Sequence, residues 1–182
     1  EYVLLLNPDT EVRPEALERL VGFLEVNSEA GAAGARLLNH DGSLQYSCSP
    51  EPSVSREFAR LFHLPGIRPD GYYPMDEWDQ NRPHQVDVLL GACLMLRRRA
   101  LEGLPGNFGV DRVLDEDYFV YSEEVDLCFR LRQSGWKLFW VPWAEVVHFG
   151  AQSTEQVPVE MFLNLYRGKV LYFRKHLSLI HI

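Results

Sequence analysis

The sequence predicts an α/β domain, a sheet flanked by helices, and three observations carry that expectation. Tyr2–Leu6 (YVLLL) is a short unbroken apolar run, the pattern of a strand covered on both faces. Soon after it, Leu17, Leu20, Val21 and Leu24 repeat at helical spacing. Strand-like and helix-like stretches then continue to a last helical segment, Val159–His176. The chain has 182 residues, 46% of them hydrophobic, enough for one globular domain with a proper core.

Tyr2–Leu6 ends in Asn7-Pro8-Asp9-Thr10, where Pro8 lacks the N–H that a sheet ladder needs and stops the strand. Arg13-Pro14-Glu15 opens a helix, with Pro14 suited to the first turn, and the helix runs out near Asn27-Ser28. Asp9 therefore falls at the carboxyl end of a buried strand, in the crevice where open α/β sheets bind ligands. An acid there has two roles open to it, a ligand contact or a loop and helix-start cap.

Ala32–Leu38 reads as a further strand, and His40-Asp41-Gly42-Ser43 as a turn that returns Leu44–Cys48 beside it. Residues 49–84 carry many prolines and aromatics. Apart from a short helix within Val54–Leu64 they read as a long irregular segment, either a binding loop or an insertion without chemistry. Val86–Leu96 is a strand broken at Gly91-Ala92, where Gly91 lets a backbone or ligand come close or marks a bulge. Arg97, Arg98 and Arg99 follow, at least two of them as surface charge, and Ala100–Leu104 is a short helical turn.

The most informative stretch is Asp115–Gly135, DEDYFVYSEEVDLCFRLRQSG. From Glu123 it reads as a helix. Glu124 shares a face with Leu127, Cys128 and Leu131, so its carboxylate sits on an inward face. Asp126 and Arg130 lie one turn apart on a neighbouring face and can pair. Glu123 and Glu124 either do chemistry or complement the helix dipole. Trp136–Val141 is a strand ended by Pro142, and Glu145–Gly150 a separate short strand with His148 near its end, as a structural residue or a ligand. In Val159–His176, Phe162, Leu165, Tyr166, Leu171 and Phe173 supply an apolar side, while Arg167, Lys169, Arg174, Lys175 and His176 make it the most basic part of the chain. Packing, contact with a phosphorylated ligand and contact with an anionic membrane surface all suit such a helix.

Composition excludes some classes. The net charge of -8, with no basic stripe through the first two thirds, argues against a nucleic-acid partner. The three cysteines, Cys48, Cys93 and Cys128, are odd in number and far apart, which suits a reducing cytosol better than a disulfide framework or a zinc site. The sequence shows no signal-peptide pattern, and its longest apolar candidate, Val86–Leu96, is about half the length a bilayer span needs. A cytoplasmic location is expected, with peripheral contact at the inner face of the cell membrane as its furthest extension. The start at Glu1, directly in a buried-strand pattern, reads as a piece of a longer protein.

Asp9, Glu124 and His148 each follow or flank a strand end, which suits one crevice holding two carboxylates and an imidazole. Such oxygen and nitrogen ligands suit Mn²⁺ or Mg²⁺ bridging a diphosphate, with the second carboxylate free to take a proton from an attacking hydroxyl. At this point the sequence resembles a known family. The stretches Leu6-Asn7-Pro8-Asp9-Thr10, Gly91-Ala92, Phe119-Val120-Tyr121-Ser122-Glu123-Glu124-Val125-Asp126-Leu127-Cys128-Phe129-Arg130 and Val147-His148-Phe149-Gly150 with Ser153 look like glycosyltransferase family 2, in its rhamnosyltransferase-like branch.

The resemblance implies a GT-A fold, a Rossmann-like mixed sheet flanked by helices, here as a partial domain. It implies an inverting transfer of a sugar from a nucleotide-diphosphate donor, a dTDP- or UDP-sugar, to a glycan or polyprenyl-linked acceptor in cell-envelope polysaccharide synthesis. By that resemblance Asp9 and His148 hold the metal, Glu124 or Glu123 is the base, and Asn7, Gly91, Ala92, Asp126 and Arg130 touch substrate. Arg167 and Lys169 of the C-terminal helix (159–176) close over the donor phosphates or touch a lipid-linked acceptor, and 49–84 is an acceptor-side loop. Glu124 stands where many members carry Asp, so its base reaches one methylene further. The nucleotide-binding first half of the family pattern is not in this sequence, so the chain alone is expected to be impaired. Two other readings are a non-catalytic remnant and another metal-dependent phosphoryl or nucleotidyl transferase.

Overall fold

The computed structural model describes residues 1–64, 71–106, 108–150 and 158–177. Its centre is a mixed six-stranded sheet. The strands are β1 (Tyr2–Leu6), β2 (Thr10–Val12), β3 (Ala30–Leu38), β5 (His84–Val86), β7 (Cys93–Arg97) and β8 (Lys137–His148). Their order is β1-β7-β3-β8-β2, with β5 also on β8. Only the β3–β8 pairing is parallel; β1–β7, β3–β7, β2–β8 and β5–β8 are antiparallel. A small second sheet pairs β4 (Cys48–Ser49) with β6 (Val88–Leu89).

The pleat sends alternate residues to opposite faces, and each face has its own core. Leu94 and Leu96 of β7 and Leu138 and Trp140 of β8 join one cluster with Leu127, Cys128 and Leu131 of α4 (Glu123–Gln133) and with Leu101 of α3 (Arg98–Glu102). Cys93 and Met95 of β7 and Val141 and Val146 of β8 join the other with Ala16, Leu20, Phe23 and Leu24 of α1 (Ala16–Val26). Leu20, Leu24, Leu127 and Leu131 are fully buried, each a contribution of roughly 1.5–3 kcal/mol. The inward face read for Glu124's helix is thus the face that seals the sheet. Two more helices, α2 (Val54–Leu61) and α5 (Pro158–His176), lie beyond α4.

Several local expectations are corrected. Pro142 does not end a strand: β8 runs through it. The β3 register jumps from Ala35↔Val141 to Arg36↔Glu145, so residues 142–144 bulge out of the ladder and Pro142 never has to donate. Leu44–Cys48 is not a return strand; apart from a single Leu38↔Leu44 bridge, Cys48 leaves to pair with Leu89. Val86–Leu96 is three short strands with different partners, and Thr10–Val12 is a strand the apolar pattern did not signal. Pro14 precedes the first helix, which begins after a left-handed Glu15 (φ 63). Of the three arginines, Arg98 and Arg99 are exposed, while Arg97 donates to the Ala30, Asn27 and Leu24 carbonyl oxygens and ties the end of α1 to the sheet. On α5 the packed stripe is Asn164, Gly168 and Tyr172, and Phe162 and Tyr166 face outward. Ser153 lies outside the described residues.

Candidate active site

One cleft opens where β1, the Gly91-Ala92 break, the end of β8 and the start of α4 meet. Asn7, Asp9, Gly91, Ala92, Glu123, Glu124 and His148 all line it, with Tyr121 and Met161 closing its rim; the cavity is about 710 Å³. Seven residues from four separated stretches of sequence thus line one cleft. β1 delivers Asn7, whose N–H donates to the Ala92 carbonyl (3.0 Å), and Phe149 N–H donates to the Asp9 carbonyl (2.9 Å). These bonds hold the two strand ends together.

His148 Nε2 lies 3.4 Å from Asp9 Oδ1 and 3.4 Å from Asn7 Nδ2. Its other ring nitrogen lies 2.7 Å from Gln45 Oε1. The Gln45 amide Nε2 donates to the Asn39 side-chain oxygen (3.0 Å) and to the His148 carbonyl (3.2 Å), which turns its oxygen toward the ring. Nδ1 is therefore the donor, and Nε2 is the ring nitrogen turned toward Asn7 and Asp9. Gln45 carried no sequence signal. It reaches His148 across 103 residues of chain, and only the fold brings them together. Among the described residues no group of three or more His, Cys, Asp or Glu is arranged to hold a metal ion by itself.

Glu124 lines the same cleft from the first turn of α4. Burial, and secondarily the neighbouring Glu123 charge, pushes its carboxyl up to about 7. Gly91 backs its stem; a Cβ on Gly91 would sit at ordinary contact distance, 3.6 Å, from the Glu124 Cβ. Glu123 Oε2 is buried with no hydrogen-bond partner among the described residues. An orphaned carboxylate oxygen is costly, and this one sits in the wall of the cleft.

The backbone that presents both glutamates is strained. Tyr121 (φ 66) and Ser122 (φ 71) are consecutive left-handed residues without being glycine, a conformation of roughly 1–3 kcal/mol each that persists only where its surroundings hold it. α5 is that support. A Cβ on Gly168 would fall 2.7 Å from the Tyr121 carbonyl oxygen and 3.1 Å from Ser122 Oγ. In an open helix Gly→Ala gains roughly 0.5–1 kcal/mol, but contact with backbone costs roughly 1–3 kcal/mol and outweighs it. Gly168→Ala is expected to lower the melting temperature by a few degrees; an unchanged or raised melt would mean that the helix and the turn separate freely.

The remaining expected residues lie elsewhere. Asp126 and Arg130 face away from the cleft and pair with each other inside the fold (2.6 Å). Lys169 lines a second cavity on the far side of Glu124 and pairs with Glu57 (3.0 Å). Arg167 is exposed, bonds Asn164 (3.2 Å) and lines a shallow depression with Asp117 and Phe119.

A mixed sheet between helices, with its cleft at the strand ends, defines a GT-A glycosyltransferase fold. The chain matches the crystal structure of GalNAc-T7 with UDP, GalNAc and Mn²⁺ at a TM-score of 0.50, over 81% of this chain and 27% of that one, at 13% identity. No family profile matches the chain. It is 33% identical over 166 residues to N-acetylglucosaminyl-diphospho-decaprenol L-rhamnosyltransferase of Mycobacterium tuberculosis, covering 87% of this chain and 50% of that protein. It is 27% identical over 150 residues to the rhamnosyltransferase WbbL of Escherichia coli, covering 82% and 52%. It is 25% identical over 167 residues to the hexosyltransferase Agl10 of low-salt glycan biosynthesis in Haloferax volcanii, covering 91% and 47%. The chain is thus similar to rhamnosyltransferases and to another glycosyltransferase, and it spans about half the length of these curated relatives.

Proposed function

We propose that this chain carries the metal and base side of an inverting, metal-dependent glycosyltransferase that moves a sugar from a nucleoside diphosphate to an acceptor hydroxyl. The observation that carries the reading is the single cleft that Glu124, with its raised pKa, shares with the Asp9–His148 pair. The Asp9–His148 pair would offer Mn²⁺ or Mg²⁺ two ligands, a carboxylate oxygen and a ring nitrogen, and a nucleoside diphosphate would supply further oxygens. Bound there, such an ion neutralises the charge that develops on a leaving diphosphate. Glu124 takes the proton of the acceptor hydroxyl as that oxygen bonds to the anomeric carbon. The bond from that carbon to the diphosphate breaks on the opposite face, and configuration inverts.

dTDP-rhamnose is the first donor to test and UDP-sugars the next, since rhamnosyltransferases stand among the relatives and the solved neighbour holds UDP. The acceptor is a glycan or a polyprenyl-linked sugar of the cell envelope. No helix among the described residues is long and apolar enough to cross a membrane, and contact with a membrane would be peripheral.

The test is a thermal melt with and without Mn²⁺ plus dTDP or UDP, run beside Asp9→Ala and His148→Ala. A ligand that saturates the native site a hundredfold above its Kd adds about 2.7 kcal/mol, equivalent to about 5–10 °C in a chain of this size. The rise is expected only with both ligands and only in the unsubstituted protein. A melt that rises equally in both variants would remove Asp9 and His148 from the metal site, and one that ignores the ligands would mean that this part of the domain does not bind a nucleoside diphosphate by itself.

A further inference from the structure

Behind the His148 ring, away from the cleft, lies the turn that follows β3, Asn39-His40-Asp41-Gly42-Ser43. Two backbone bonds close it: Asn39 N–H donates to the Ser43 carbonyl (2.8 Å) and Gly42 N–H to the Asn39 carbonyl (2.9 Å). Leu38 pairs with Val147, which sets the turn beside the end of β8. From here an unbroken series of side-chain hydrogen bonds runs to the ring. Asp41 Oδ1 accepts from Ser43 Oγ (2.6 Å) and from Ser43 N–H (2.9 Å). Ser43 Oγ accepts from Asn39 Nδ2 (2.9 Å), Asn39 Oδ1 from Gln45 Nε2 (3.0 Å), and Gln45 Oε1 lies 2.7 Å from His148 Nδ1.

The direction of this series is set at its outer end. A carboxylate without a proton only accepts, and the bonds from the Ser43 hydroxyl and amide hold Asp41 below the ordinary carboxylate range. Ser43 therefore gives its single O–H to Asp41, and its oxygen is left to accept. Asn39 has to turn its NH₂ to Ser43 and its oxygen to Gln45. Gln45 in turn presents its NH₂ to Asn39 and its oxygen to the ring, so Nδ1 carries the hydrogen. In a neutral ring Nε2 is then the acceptor, 3.4 Å from Asn7 Nδ2. An isolated Asn or Gln amide could stand either way round. Here each is fixed by its neighbour, and Gln45 also by the His148 carbonyl (3.2 Å). Asp41 and Ser43 are exposed, Asn39 and Gln45 half-buried and His148 buried, so water competes least at the inner end.

We infer that Asp41, Ser43, Asn39 and Gln45 are positioning residues for His148: the turn after β3 dictates the tautomer of the ring and leaves Nε2 as the nitrogen open to the cleft. The tautomer follows from the bonds alone, while its consequence for metal binding rests on the proposed role of His148. A turn that read from sequence only as a chain reversal thus belongs to the site.

Nitrogen-15 spectra of the histidine rings in the intact enzyme, taken without metal, read which nitrogen carries the hydrogen. They are recorded at about pH 8, above the range in which imidazoles take up a second proton, and the signal lost in His148→Ala identifies the ring. The parent is expected to carry the hydrogen on Nδ1. Gln45→Leu should move it to Nε2 in a large share of molecules. Asp41→Ala should do so in a smaller share, because the His148 carbonyl still holds Gln45. Asp41→Asn should match the parent, since its amide oxygen still accepts from Ser43. Binding of Mn²⁺ with dTDP or UDP is expected to weaken by roughly 10–100-fold in Gln45→Leu and by less in Asp41→Ala. Hydrogen on Nε2 in the parent, or a tautomer indifferent to both Gln45→Leu and Asp41→Ala, overturns the inference. So does Asp41→Asn behaving as Asp41→Ala does, since the charge and not the direction of the bonds would then be acting. If the tautomer moves as expected while Mn²⁺ and the nucleotide bind as in the parent, the positioning role stands and the metal role of His148 fails. Asp41 is exposed, so its variants report even where Gln45→Leu does not fold.

Discussion

Glu124→Gln is expected to lower sugar transfer by roughly 10²–10⁴ and to leave donor binding intact, the largest effect expected on activity. The amide keeps the shape of the carboxyl but cannot accept a proton, and loss of a general base costs typically 10²–10⁴ in rate. Its pKa makes the loss legible in a pH profile. Burial, joined by the Glu123 charge, raises the carboxyl to about 7, so the free base is in place only above that value. kcat/KM in the unsubstituted enzyme is expected to climb through about pH 7 and level off, and the residual rate of the variant should lack this step. Stability should move the opposite way. A folded pKa raised above the ordinary 4.5 means that the folded state gains from the bound proton. That gain is fully present below about pH 4.5 and lost as pH rises through about 7. Glutamine does not ionise, so the variant should be more stable than its parent at pH 8, by on the order of 2–3 kcal/mol, and equal to it near pH 4. Full turnover in the variant, or a parent profile without the step near 7, would take Glu124 out of the base role.

Asp126→Ala should have the largest effect on stability. The carboxylate is 1% exposed. It accepts from Arg130 Nε at 2.6 Å and from Tyr118 Oη at 3.4 Å, and His176 Nε2 lies 2.6 Å away. Burial alone would raise its pKa, but the bonds from His176 and Arg130 outweigh that and hold it below the ordinary range. Arg130 is itself 7% exposed and stacks over Phe108 at 3.8 Å from the ring centre. Removing the acid strands a buried guanidinium, a loss of roughly 3–5 kcal/mol, read in urea melts near pH 7. Because the folded pKa is depressed, the stabilisation is present above the ordinary carboxylate range and fades as pH falls through the folded value. Parent and variant should therefore converge in strong acid. A difference below about 1 kcal/mol would mean that Arg130 finds another partner or water. The consequence reaches function, since Asp126 joins α4 to α5, and α5 buttresses the turn that carries Glu123 and Glu124.

Much of this was legible in the order of residues. The apolar run of β1 and the helical spacings of α1 and α4 record burial directly, because a residue that must leave water is apolar whatever its partner is. Glu124 could be placed on the sealed face of its helix for the same reason, and Asp126–Arg130 as a pair because one helical turn is a local distance. Asn7, Asp9, Gly91 and His148 could be marked as strand-end residues. What pairs with what was decided by the tertiary structure. β8 passes through Pro142 because the bulge relieves it of donating, and nothing local announces a bulge three residues long. Gln45 orients His148 from 103 residues away, Arg97 caps a helix on another element, and Phe162 and Tyr166 face outward because Gly168 brings the opposite side of α5 against the strained turn. The sequence by itself determined which side chains must be buried and which acids stand at the ends of strands. Only the folded chain decided which of them meet, since a contact between distant segments has no period or spacing by which to be read.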